Sequence, residues 1–129
     1  MALPPSDLEV IAYGKPLLRV FPFESPPVVA PELLEEGKAY LAGSLEFGVL
    51  HTPGHSPGGV TLKIGRTLFT GDALFAGSIG RSDFVNSDGA ELLAGIRDKL
   101  RVEPDDAIVL AGHGPASTIG REKLYNPFL

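Results

Sequence analysis

The chain has 129 residues, 43% of them hydrophobic and 21% charged, which suits one soluble domain with a real core. A formal net charge of −5 and a pI near 5.1 argue against a non-specific polyanion binder, so neither nucleic acid nor an anionic membrane surface is an expected partner. With no Cys, disulfides, a thiolate nucleophile and a Cys-ligated zinc are excluded, and any metal must sit on nitrogen and oxygen donors.

No apolar run approaches the roughly 20 residues needed to span a bilayer. The start, Met1-Ala2-Leu3-Pro4-Pro5, has neither the basic residues nor the apolar run of a signal peptide, and a cytoplasmic location is expected. Seven of the 12 Pro lie in residues 1–40 and 14 of the 16 Gly lie after residue 40, which places a boundary near Gly37-Lys38. A short helix is expected over Asp7 to Tyr13, capped by Ser6 or Asp7. Pro16, Pro22, Pro26, Pro27 and Pro31 then predict an extended connection over residues 15–37. The whole chain, 1–129, reads as a single partial domain, with a Pro-rich connecting segment over 1–40 and a sheet with helices over 41–129.

Leu45 to Leu50 predicts a short strand that runs at once into the loop His51-Thr52-Pro53-Gly54-His55-Ser56-Pro57-Gly58. Val60, Leu62 and Ile64 alternate with Thr61 and Lys63, the period of a half-buried strand, and Gly65-Arg66 suits a II′ turn into a partner strand from Thr67 to Gly71. A two-residue turn there pairs Ile64 with Thr67, Leu62 with Phe69 and Gly59 with Asp72, so Asp72 should emerge beside the His55 loop. Asp88, with Glu91 three residues on, caps a helix whose stripe is Leu92, Leu93, Ile96 and Leu100. Ala107 to Ala111 reads as a fully buried strand that delivers Gly112-His113-Gly114. Ser117 to Tyr125 is expected to form a terminal helix, and Asn126-Pro127-Phe128-Leu129 is expected to be a complete C-terminus.

All three histidines, His51, His55 and His113, lie in Gly- and Pro-rich loops that follow apolar strands, and such loops hold side chains on a rigid edge. Neutral imidazole and carboxylate suit Zn, Fe or Mn, and His55, Asp72 and His113 form a plausible set of two nitrogens and one oxygen. Any one of them alone is more often an ordinary polar residue. Taken together they are harder to dismiss, because the hairpin register brings Asp72 to His55 independently.

The runs HTPGHSPGG, LFTGDALFAGSIGRSDF and AGHGPASTIGREKLYNPFL resemble, in order and spacing, the last three motifs of the metallo-β-lactamase superfamily. The nearest match is to compact glyoxalase II-like hydrolases. The resemblance covers residues 32–129, including ELLEEGK, and more weakly residues 3–31. It implies the C-terminal half of an αββα four-layer sandwich, an α/β (α+β) fold, and a binuclear site usually holding Zn, with Fe or Mn as other occupants. On that resemblance His55 is a terminal ligand of the first metal, Asp72 the bridging carboxylate and His113 a terminal ligand of the second. His51 matches no ligand and is expected to point elsewhere. Arg81 and Asp83 are candidates for a pair that orients ligands or substrate, or for an ordinary surface ion pair. Ser56 is a candidate donor to a ligand or to backbone.

The resemblance implies hydrolysis of small thioesters of the hydroxyacylglutathione type by a metal-bridging hydroxide. A persulfide dioxygenase-like iron enzyme is the alternative enzyme class, and a truncated, inactive association or structural module is the non-enzymatic one. The family's upstream H-x-H-x-D-H motif is absent from this chain, which has no His before His51. Each metal would therefore keep one His and share Asp72, two protein ligands where about four positions are needed. The expected partners are a small thioester substrate and either a second copy of the chain or a polypeptide supplying the N-terminal half.

Overall fold

The computed structural model describes residues 2–3 and 32–129 of the chain. The expected helix at 7–13, and the expected connection except for its last residues, lie outside the described residues. A six-stranded sheet organises the rest. Its strands are β3 (Ala39–Ala42), β4 (Leu45–His51), β5 (Val60–Ile64), β6 (Thr67–Gly71), β9 (Ile108–Ala111) and β10 (Ser117–Thr118), in the spatial order β10-β9-β6-β5-β4-β3. A parallel pair, β1 (Ala2–Leu3) with β2 (Glu32–Leu33), and a small hairpin, β7 (Leu74–Phe75) with β8 (Ser78–Ile79), are the other strands among the described residues.

The hairpin β5–β6 has the expected register: Ile64 pairs with Thr67 and Leu62 with Phe69. Gly65 takes φ +57°, whereas Arg66 is not in the positive-φ region, as a II′ turn requires. The ladder stops at Leu62 and Phe69, so the expected Gly59–Asp72 pair does not form. The β6–β9 register slips between Phe69 and Gly71, and this irregularity lets the chain leave the sheet before Asp72.

Helix α1 (Gly89–Gly95) begins at Asp88, whose side chain accepts from Ala90 N–H at 2.8 Å and Glu91 N–H at 3.0 Å. It continues as a π-helical turn over Ile96–Leu100, closed by Arg101 N–H on the Ile96 carbonyl. Leu92, Ile96 and Leu100 all have no exposed surface. A four-residue spacing drifts around a 3.6-residue helix, and the wider turn takes up that drift, which keeps the three side chains on one line. Leu68, Leu74, Val109 and Ile119 join them in one core between the helices and one sheet face.

Two expectations are corrected here. Ile108 to Ala111 is not fully buried: Ile108 is 44% exposed and Val109 1%, the alternation of a strand with only one face against the core. Ser117 and Thr118 do not begin a helix but pair with Val109 and Ile108 as an edge strand; Thr118 then caps α2 (Ile119–Tyr125) through Arg121 N–H. On the opposite sheet face Val60, Leu62 and Ile64 are half-buried and Phe69 is 39% exposed, as expected for strands short of a cover. No helix among the described residues is long and apolar enough to cross a membrane.

Candidate metal centre

The loop after β4 is locked before it presents His55. Thr52 N–H donates to the Gly59 carbonyl at 2.8 Å, and Asp88 N–H donates to the Gly54 carbonyl at 2.7 Å, which fastens the loop to the start of α1. Gly54 has φ +122°, and a Cβ there would lie 2.4 Å from the Asp88 carbonyl oxygen and 2.5 Å from Leu92 Cβ, so only Gly fits.

His55 Nδ1 lies 2.8 Å from the Arg81 carbonyl oxygen. A carbonyl only accepts, so Nδ1 carries a proton, and of the two neutral tautomers this contact selects the one that keeps the lone pair on Nε2. That Nε2 stands 3.6 Å from Asp72 Oδ2. On the other side of the same carboxylate, His113 Nε2 stands 3.8 Å from Oδ1. Asp72 thus lies between two imidazoles, one facing each oxygen.

Two strand ends create this juxtaposition. Asp72 follows β6 directly and His113 follows β9, and Gly112 N–H donates to the Gly71 carbonyl at 2.7 Å, which carries the parallel β6–β9 contact past the sheet edge. A Cβ on Gly112 would meet Asp72 Oδ1 at 2.5 Å. Phe75 stacks on His113 with ring centroids 4.6 Å apart, and Phe84 meets His55 edge-on at 5.6 Å. The three donors and these rings line one cavity of about 460 Å³, closed further by Ile79.

The donor set fits a metal in its chemistry, since it offers imidazole nitrogen on either side of carboxylate oxygen. It does not fill one alone. Among the described residues no three His, Asp or Glu side chains cluster closely enough to hold an ion, because the donors are arranged as two pairs sharing Asp72.

The remaining candidates fall into different places. His51 points into its own loop, Nε2 donating to the Pro57 carbonyl at 3.3 Å, away from Asp72 as expected. Its peptide is clamped on both sides: Glu36 accepts from His51 N–H at 3.1 Å and Lys99 donates to His51 O at 2.7 Å. The Lys99 ammonium 2.7 Å from Glu36 holds that carboxyl below its usual range against the opposing effect of burial. Arg81 and Asp83 form a two-pronged pair at 3.0 and 2.8 Å, 70% and 66% exposed, with the guanidinium 4.7 Å from the Phe84 ring centre. What orients His55 is the Arg81 main chain, not that pair, because the carbonyl is the group in reach of Nδ1. Ser56 lines a neighbouring cavity behind the His55 loop, and its carbonyl accepts from Gly54 and Gly59 N–H. Phe75, Phe84 and Gly112 were not expected at the site from the sequence; a lone Phe carries no pattern that separates it from a core residue.

Comparison with known proteins accords with this geometry. The family model described as "Metallo-beta-lactamase superfamily" matches residues 3–113. Hydroxyacylglutathione hydrolase GloC of Haemophilus influenzae is 46% identical over 97 residues, covering 74% of this chain and 46% of that protein. The di-iron-bound form of TTHA1623 superposes with a TM-score of 0.85 at 40% identity, over 99% of this chain and 64% of that one. ETHE1 from Myxococcus xanthus gives 0.73 at 30% identity, over 88% and 55%. The chain therefore spans about half the length of the curated relatives it matches. It belongs to the metallo-beta-lactamase superfamily and has the mixed α/β architecture of that fold's C-terminal part.

Proposed function

We propose that the chain carries one half of the metal centre of a hydrolase that cleaves small thioesters of the hydroxyacylglutathione type, and that it acts when the H-x-H-x-D-H half is supplied. The observation that carries this reading is the Asp72 carboxylate set between His55 Nε2 and His113 Nε2. Likeness to GloC supports the substrate class. His55 would hold one metal and His113 the other, with Asp72 shared. Bound there, a metal supplies Lewis acidity and activates water near neutral pH. The Arg81 carbonyl keeps His55 in the tautomer that can donate its Nε2 lone pair. Phe75, Ile79 and Phe84 form an apolar wall that would seat an acyl group and exclude bulk water.

The partner in this reading is the polypeptide that supplies the missing donors, or a second copy covering the open sheet face. Likeness to the di-iron-bound TTHA1623 favours iron beside zinc as an occupant, and with iron it supports a second reading, a persulfide dioxygenase-like enzyme. The shared donor count supports a third, an inactive association module. One experiment separates them. The chain is mixed with the remaining half of a relative and loaded with zinc or iron, and lactoyl thioester hydrolysis and persulfide-dependent oxygen uptake are followed. Hydrolysis abolished by Asp72→Ala is the expected result; oxygen uptake without hydrolysis would favour the second reading, and neither activity the third.

A further inference from the structure

Glu122 on α2 is 1% exposed, a charged side chain buried away from the candidate centre. Two of its contacts are to segments that reach that centre. Ser117 Oγ, at the end of the His113 loop, donates to one carboxylate oxygen. Gly77 N–H, in the turn of the β7–β8 hairpin, donates to the other at 2.7 Å. Asn126 Nδ2 donates to that same oxygen at 2.9 Å and to the Ser78 carbonyl at 3.0 Å, a second link from α2 to the hairpin. Arg121, half-exposed, lies 3.4 Å away. A buried carboxylate tolerates its position only when its lone pairs are taken up in this way, and donors so placed fix the segments that carry them. The two segments fixed here bear Phe75 and His113, whose rings stack at 4.6 Å.

We propose that Glu122 is a positioning residue: by holding the His113 loop and the β7–β8 hairpin to one carboxylate, it sets the stack of Phe75 on His113 and so aims His113 at Asp72. This goes beyond the hydrolase reading, and its test needs neither metal nor substrate, so either can fail while the other stands.

The test is the proton NMR of the His113 ring in the metal-free chain, with Phe75→Ala defining the unstacked position and the His51 ring as internal control. In Glu122→Ala the His113 signals move towards that unstacked position while His51 stays. In Glu122→Gln they remain near wild type, because the amide keeps an acceptor for Gly77 and Asn126 and turns its NH2 to the Ser117 hydroxyl. His113 signals unchanged in Glu122→Ala, or displaced equally in Gln and Ala, would overturn the proposal. Should Glu122→Ala fail to fold, Ser117→Ala decides: that variant keeps the carboxylate but releases the loop, and an unmoved His113 would overturn the proposal equally.

Discussion

Asp72 and Gly112 show how little space the centre leaves. A methyl group on Gly112 would fall 2.5 Å from Asp72 Oδ1, so Gly112→Ala must push the carboxylate away from His113. Because Gly112 is itself exposed, the thermal midpoint should hardly change, while hydrolysis by the complemented enzyme falls by about 10- to 100-fold, the usual loss when a metal ligand's support is disturbed. Glu122 makes a pH-dependent prediction. Burial works to raise its pKa, but the Ser117, Gly77, Asn126 and Arg121 contacts outweigh it and hold the group below 4.5. A depressed folded-state pKa stabilises the protein above the unfolded value and loses that stabilisation as pH falls through the folded one. Acidification below pH 4.5 should therefore lower the melting temperature of wild type more than that of Glu122→Gln, measured by circular dichroism. At this scale His55, Asp72 and His113 were legible because each follows a recognisable strand. The role of Arg81 was not, since its main chain does the orienting and a carbonyl leaves no mark on residue identity.

The elements bring these residues together, and α1 is the one on which the His55 loop rests. Asp88 both caps the helix and, through its N–H, holds Gly54. Asp88→Ala keeps that N–H but loses two cap bonds, and should cost about 1 kcal/mol in urea unfolding. Leu92→Ala removes a fully buried side chain that also abuts Gly54, and should cost about 2–5 kcal/mol in the same assay. The Asp88 cap and the β5–β6 register were readable because a polar cap before an apolar stripe and a two-residue turn each have one geometric solution. The π-helical turn, the short β7–β8 hairpin and the β10 edge were not. The first two are too short to leave a periodic pattern, and the β10 edge arises from pairing with β9, which propensity alone does not encode.

Across the whole molecule, one sheet face is packed by helices while Phe69 and Ile108 on the other remain 39% and 44% exposed. Such a face, beside sheet edges that are unpaired among the described residues, favours association, so sedimentation velocity should show species larger than the monomer as concentration rises. The same incompleteness governs the metal. The family, its fold and the expectation of Asp72 as the shared carboxylate came from three motifs, whereas the 3.6 and 3.8 Å separations of His55 and His113 from its two oxygens needed coordinates. Metal content after dialysis of the chain against zinc and then against metal-free buffer tests this most directly. The two-pair arrangement predicts well under one zinc retained per chain, with lactoyl thioester cleaved no faster than in buffer. Stoichiometric zinc retained by the chain alone, and lost in Asp72→Ala, would contradict it.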